Sequence, residues 1–441
     1  MDALALLTAL PSASLPPPFT ALLHLFQQSK HFEWPVPRIE CAGNMHMDRM
    51  LAVMPILPAV KIEQPDHLDD CLQAARVPGQ PQSLVGFLKT WPSQVVSLAV
   101  PAKLTACDSD ELCHLIHQCT RLDAVQVDVA TMLDLGDALR PWLQSTTART
   151  LTLNNMALAT VDAGVSLATV LTATSSLTRL AINHSDAVAQ ALLASGLCFG
   201  SLSQLKVSFA TVPGHYRLVA QLDACKVTQL DVRGNQQEDL SPLLAMVSRL
   251  PALTHLTLGY CKLNEAVAHG LAGAPVLCSA RFFSVVWRTE SVLHSLLAYL
   301  GRSPRLQTVA WRRCPQVARV AQPWLPPTLG RAQFLDCNVD DTFVYAIADE
   351  LRARTILTPL TILLDCHAKM LALESVTTVL HALASTRNTS VHFEVAQGYY
   401  LPWFWDNVRL PATVARVQVK FETRHARHHC YLASSSLQTE M

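Results

Sequence analysis

The chain has 441 residues, half of them apolar, and its 34 basic side chains are matched by 34 acidic ones. That is ample apolar material for a large core and more length than one globular core accommodates, so several domains or an elongated repeat are expected. Balanced charge supplies no field to gather nucleic acid or an anionic membrane, and neither is expected as a partner.

Thirteen cysteines are scattered without paired spacing. They read as reduced thiols of the cytoplasm or nucleus rather than as a disulfide framework. No run approaches the ~18–20 apolar residues that span a bilayer. Ala3 to Leu10 followed by Pro11-Ser12-Ala13-Ser14 has the outline of a signal peptide, but Asp2 stands where a basic region belongs and the apolar run is short. Asn183-His184-Ser185 and Asn388-Thr389-Ser390 are glycosylation sequons that matter only in a secreted chain.

Residues 1–35 carry two apolar segments parted by Leu15-Pro16-Pro17-Pro18, and the second, Phe19 to Phe26, has the spacing of a helical cap. Between 36 and 90, Val36, Ile39, Cys41 and Asn44, and then Leu57, Val60 and Ile62, predict strands of a degenerate N-terminal array. Pro65, Pro78, Gly79 and Pro81 predict a helix of one or two turns followed by a loop over 64–83.

A regular array is expected over 91–424. Short strands centre on Leu98, Val125, Leu151, Leu180, Leu205, Leu230, Leu256, Ala280, Val309, Ala332, Leu360, Val391 and Val417, at gaps of 23 to 31 residues. Between them, 108–118, 186–195, 238–250, 289–300 and 340–353 place apolar residues three and four apart behind a capping residue, the pattern of helices. Residues 425–441, with Arg424-His425-Ala426-Arg427-His428-His429-Cys430 at their start, read as a solvated, flexible tail.

The best-formed unit is Leu253 to Leu263, which fits L-x-x-L-x-L-x-x-N/C-x-L at Leu253, Leu256, Leu258, Cys261 and Leu263. Val227, Leu230, Val232 and Asn235 make another; Leu306, Val309, Trp311 and Cys314 a third; Leu329, Ala332, Phe334, Cys337 and Val339 a fourth. The chain therefore resembles the ribonuclease-inhibitor-like leucine-rich-repeat family. That resemblance implies an α/β horseshoe with a concave parallel sheet and outer helices, whose units must stack to bury their apolar faces. In that family the Asn or Cys bonds exposed backbone groups of adjacent coils. Met156, Ala210, Val285 and Ala396 have lost it, so those coils should be looser or rescued by other contacts.

Within x-L-x-L-x the leucines point to the core and the x positions to the opposite face. The face is mainly small or neutral over Thr150, Thr152, Asn154, Arg179, Ala181, Asn183, Gln204, Lys206 and Ser208, whereas Arg233, Arg281, Arg312, Arg331, Arg416 and Lys420 form a basic stripe toward the C-terminal half. Arginine recurs at interface hot spots and grips carboxylates with two hydrogen bonds. The candidate partner-binding residues are Gln229, Asp231, Arg233, His255, Thr257, Arg281, Phe283, Thr308, Arg312, Arg331 and Gln333. Tyr399 to Trp405 is an aromatic run that either anchors a partner or caps the last coils.

Cys113, His114, His117 and Cys119 share a helix, but its apolar residues explain it without zinc. No phosphate-binding glycine loop, G-x-S-x-G, H-E-x-x-H or C-x-x-C occurs, so neither catalysis nor a metal or cofactor is expected. The expected protein is a monomeric interaction module that binds a protein on its concave face. Three alternatives stay open. Leu15-Pro16, Leu22, Leu25, Phe26 and Trp34 resemble the start of an F-box, which implies a substrate receptor and a ubiquitin-ligase adaptor as partner. Some members of the repeat family activate GTPases, although those carry acidic tails where this one is basic. An extracellular receptor would bring cysteine-rich caps, which the sequence lacks.

Overall fold

The computed structural model describes residues 36, 38–40, 47–64, 67–100, 109–128, 131–132, 135–158, 160–208, 214–247, 249–264, 275–319, 325–354, 358–365, 371–386, 388–396, 417–424 and 427–434. The F-box-like residues 15–34 and the aromatic run 399–405 lie outside them. The chain divides into two compact units, Met1–Lys206 with Gln221–Asp223, and Val207–Ala220 with Ala224–Met441. Each has the α/β plan of an open, mostly parallel sheet with a helix in most of the connections.

In the first unit the strands are β1 (Arg38–Glu40), β2 (Val60–Gln64), β3 (Val95–Val100), β4 (Ala124–Asp128), β6 (Thr150–Asn154) and β8 (Arg179–Asn183), paired parallel in that order. β5 (Thr131–Met132) and β7 (Ala157–Leu158) form a small parallel ladder of their own. The register sets Ile39, Ile62, Leu98, Val125, Leu151 and Leu180 in one row, and all six are buried. The intervening residues of β6 and β8 are half-buried or exposed, as period-two alternation requires when one face carries the core. Helices Val161–Ala173 and Asp186–Ser195 bring Leu167, Leu171 and Leu192 into that core. Each such side chain contributes ~1.5–3 kcal/mol by leaving water.

The strand β9 (Gln204–Ser208) runs from the first unit into the second. The second unit continues with β10 (Gln229–Arg233), β11 (His255–Leu263), β12 (Ser279–Trp287), β13 (Thr308–Arg312), β14 (Arg331–Leu335), β15 (Leu360–Asp365) and β16 (Thr389–Ala396), paired parallel in that order. Its core row is Leu230, Leu256, Ala280, Val309, Ala332, Ile362 and Val391. Behind it lies an aromatic cluster. Phe282 stacks on Trp311 with centroids 4.2 Å apart, and Trp287 meets both edge-on at 6.1 and 6.0 Å.

Three expectations are corrected here. Ile362, not Leu360, stands opposite Ala332 and Val391. The two residues share a face, so alternation alone does not separate them. Val417 does not head a thirteenth parallel coil, because β17 (Val417–Arg424) pairs antiparallel with β18 (Arg427–Ser434) and β18 pairs antiparallel with β16. Alternation is equally blind to strand direction. The segment expected to be a flexible tail from 425 therefore contains β18. Its polar composition looked solvated, but Leu432 lands opposite Val391 and is buried, and Ser434 Oγ accepts from Thr389 N at 2.9 Å.

A bend recurs, just past β6, β8, β13 and β14 and within β11 and β12. Four residues beyond the core-row position, Asn155, His184, Tyr260, Ser284, Arg313 and Asp336 all take φ between 48° and 53°. This left-handed conformation costs a bulky side chain ~1–2 kcal/mol, and coil stacking holds it in place. One residue further sits the Asn or Cys position. Cys314 Sγ donates to Phe282 O at 3.7 Å and Cys337 Sγ to Trp311 O at 3.4 Å, each reaching back one coil. Met156, which lost the polar residue, is rescued: its N–H donates to Ser185 Oγ at 2.9 Å, and Ser185 holds the equivalent place in the next coil. Asn235 behaves differently, since its Oδ1 accepts from Gln237 N and Glu238 N within its own loop. That local turn delays the helix expected over 238–250, which spans Ser241–Val247.

Candidate protein-binding face

Beyond the core rows, the opposite face of the second unit is a grid set by register. One row is Gln229, His255, Ser279, Thr308 and Arg331; the next is Asp231, Thr257, Arg281, Ala310 and Gln333; the third is Arg233, Gly259, Phe283, Arg312 and Leu335. All eleven candidate residues thus share one face. His255, Arg281, Arg312 and Arg331 are exposed, while Gln229, Asp231, Arg233, Thr257, Phe283, Thr308 and Gln333 are half-buried. Arg416 lies outside the described residues, and Lys420 is carried by β17 of the hairpin.

The arginines are not equivalent. Arg233 Nε and Nη2 donate to the two Asp231 oxygens at 3.0 and 2.9 Å, and its guanidinium lies 5.3 Å from the Phe283 ring centre. This combines the bidentate and aromatic-stacking contacts that favour arginine over lysine. The Asp231 hydrogen bonds push the Arg233 pKa further up, against the opposing pull of partial burial. Gly259 makes the arrangement possible, because a Cβ there would lie 3.3 Å from Phe283 Cβ and 3.4 Å from Arg233 Cγ. Arg331 Nε and Nη2 reach the Gln333 side-chain oxygen at 3.0 and 2.8 Å, a neutral partner that leaves the charge uncompensated. Arg281 and Arg312 make no hydrogen bond or ion pair among the described residues. Between them Ala310, without a long side chain, is 8% exposed.

On the first unit, amides join neighbouring coils. Asn183 Nδ2 donates to Asn154 Oδ1 at 2.7 Å, and Asn155 Nδ2 to Asp128 Oδ1 at 3.1 Å. Its helix side carries a feature that sequence reading missed, a groove of about 530 Å³ lined by Leu158, Val161, Gly164, Val165, Ala187 and Ala191, among others. Val161 is 83% exposed and Val165 53%. The signal was present in Val161–Ala173, which is apolar nearly all round where a surface helix carries a polar face.

Cys261, Cys314 and Cys337 are buried, and burial pushes their thiols up, Cys314 to about 11. His114 and His117 are exposed while Cys119 is buried. Among the described residues no group of three or more metal-ligating side chains occurs. Among the described residues no helix is long and apolar enough to cross a membrane.

No family model matches the chain, and no curated protein matches it. Among solved structures, the chain is similar to the Rad7 and Elc1 complex of yeast, with 13% identity over 73% of this chain and 80% of that one and a TM-score of 0.45. It is also similar to an internalin, InlF, from Listeria monocytogenes, with 14% identity over 60% and 76% and a TM-score of 0.32.

Proposed function

We propose that the chain is a non-catalytic interaction module whose second-unit strand face binds another protein. The observation that carries this reading is the exposed pair Arg281 and Arg312, free of internal partners and mounted on adjacent paired strands beside the Arg233–Phe283 contact. Side chains on paired strands are held in fixed relative positions, which lowers the ordering cost of binding. Exposed arginine beside an aromatic ring is the composition of interface hot spots. The same proposal takes the repeats as ribonuclease-inhibitor-like, because most coils carry a helix, and takes the face as the concave side of an array that begins at 91 and is closed by the antiparallel hairpin, preceded by a cap over 1–35 and degenerate repeats over 36–90. Scattered thiols favour the cytoplasm or nucleus, and the module is taken as a monomer.

Photo-crosslinking residues placed at Thr257 and Thr308, with Ser291 on the outer helix as control, test this in cells. The expected result is one protein adduct shared by the two face positions and absent from the control. Equal adducts from all three positions, or none from the face, would discard the proposal.

A further inference from the structure

We infer that the segment bound by this face is acidic and extended, with separate carboxylates taken by Arg281, Arg312 and Arg331 across the gap above Ala310. The inference rests on the face being a protein-binding surface and adds the chemistry of what it binds.

The charge is one-sided. Of the four arginines in the grid, only Arg233 has a carboxylate partner, and Asp231 is the only acidic residue in its three rows from β10 to β14. The Arg233–Asp231 pair therefore shows on the protein itself the contact that Arg281 and Arg312 lack, a guanidinium fork closed by two carboxylate oxygens. The spacing suits an extended chain. Arg281 stands opposite Ala310, and Arg312 lies two residues along from Ala310 on the same strand. Strands ~4.8 Å apart with alternate residues ~6.6 Å apart put the two Cα atoms about 8 Å from each other. Alternate side chains of an extended segment are ~6.6–6.8 Å apart, within arginine's reach of that separation. The small side chain of Ala310 leaves room for that backbone between the flanking long residues.

A carboxylate is favoured over a phosphate dianion. The three guanidiniums start from three strands and different rows, and the strand N–H groups are used in the parallel ladders, so no backbone nest supports a single concentrated charge.

Fluorescence anisotropy with the full chain tests the inference, using a labelled peptide of alternating Glu and Ser, its Gln counterpart, a phosphoserine counterpart and an oligothymidylate. The Glu peptide is expected to bind and to weaken as salt rises. Arg281→Gln and Arg312→Gln should each weaken it about threefold and together about tenfold, with an unchanged thermal transition. Asp231→Asn, which releases Arg233, should tighten it. Equal binding of the Gln peptide, indifference to the double substitution, or binding of the phosphopeptide or oligothymidylate in preference to the Glu peptide would overturn the inference. Face-specific crosslinks to a cellular partner that survive the double substitution would overturn it too while leaving the protein-binding face in place; absence of those crosslinks removes both.

Discussion

The two units use one coil plan and finish it with different chemistry. In the first, hydroxyls and amides lace neighbouring coils: Ser185 to Met156, Asn183 to Asn154 and Ser176 Oγ to Ser145 O at 2.7 Å. Small residues let its helices approach closely, and its strand face joins Asn183 to Asn154. In the second, an aromatic cluster and buried thiols join the coils, and on the strand face Arg281 and Arg312 have no carboxylate partner among the described residues while Arg233 is held by Asp231. A repeat can therefore be conservative in its core rows and still divide labour between coils, because face residues are released from the packing that fixes the leucines.

The largest test of this contrast is in the aromatic cluster. Trp311→Ala should cost about 3–5 kcal/mol, the range for removing a fully buried aromatic, read as a lower denaturant midpoint and lost near-ultraviolet dichroism. A cost under ~1 kcal/mol would mean the second unit does not depend on its aromatic stack. Next comes the close helix approach of the first unit. A Cβ on Gly164 would lie 2.6 Å from Ala191 Cβ, so Gly164→Ala should cost about 1–3 kcal/mol, whereas Gly200→Ala, with nothing within 4 Å, serves as the neutral control.

Ser185→Ala should cost about 1–2 kcal/mol by leaving the Met156 N–H buried and unbonded, with faster hydrogen exchange at residue 156 as its local signature. Unchanged exchange there would remove the lacing argument. The smallest effect concerns pH in the second unit. Glu238 is buried and accepts from Gly214 N at 2.6 Å; burial raises its pKa, with that hydrogen bond opposing. A raised folded-state pKa favours the protonated form, so this contribution is present at low pH and lost as pH rises through the folded value. Glu238→Gln should therefore raise the melting temperature at neutral pH, and the gap should close on acidification. A gap that widens in acid would reverse the assignment.

Much of the fold was legible because leucines at period two, repeated at near-constant spacing, phase one another. Leu98, Val125, Leu151, Leu180, Leu230, Leu256, Ala280, Val309, Ala332 and Val391 all stand in core rows. The slip at Leu360 and the misplaced Val417 share a cause: alternation specifies a face, not a partner or a direction. The candidate residues were legible in the same limited sense. Alternation put all eleven on one face, but that Asp231 would take Arg233, or Gln333 take Arg331, depends on side-chain geometry that no spacing encodes. Ser185 could have been found by counting five residues on from Leu180, as Cys261 is from Leu256.

The left-handed bend at Asn155, His184, Tyr260, Ser284, Arg313 and Asp336 makes each of these coils half rigid and half elastic. From the core row to the bend each takes four residues, whereas the return differs in length, as between the short step from Val309 to Ala332 and the long one from Ala332 to Ile362. Insertions and deletions placed after the bend should therefore be tolerated without disturbing the face, which makes the return segments the natural points for grafting tags, loops or reporters.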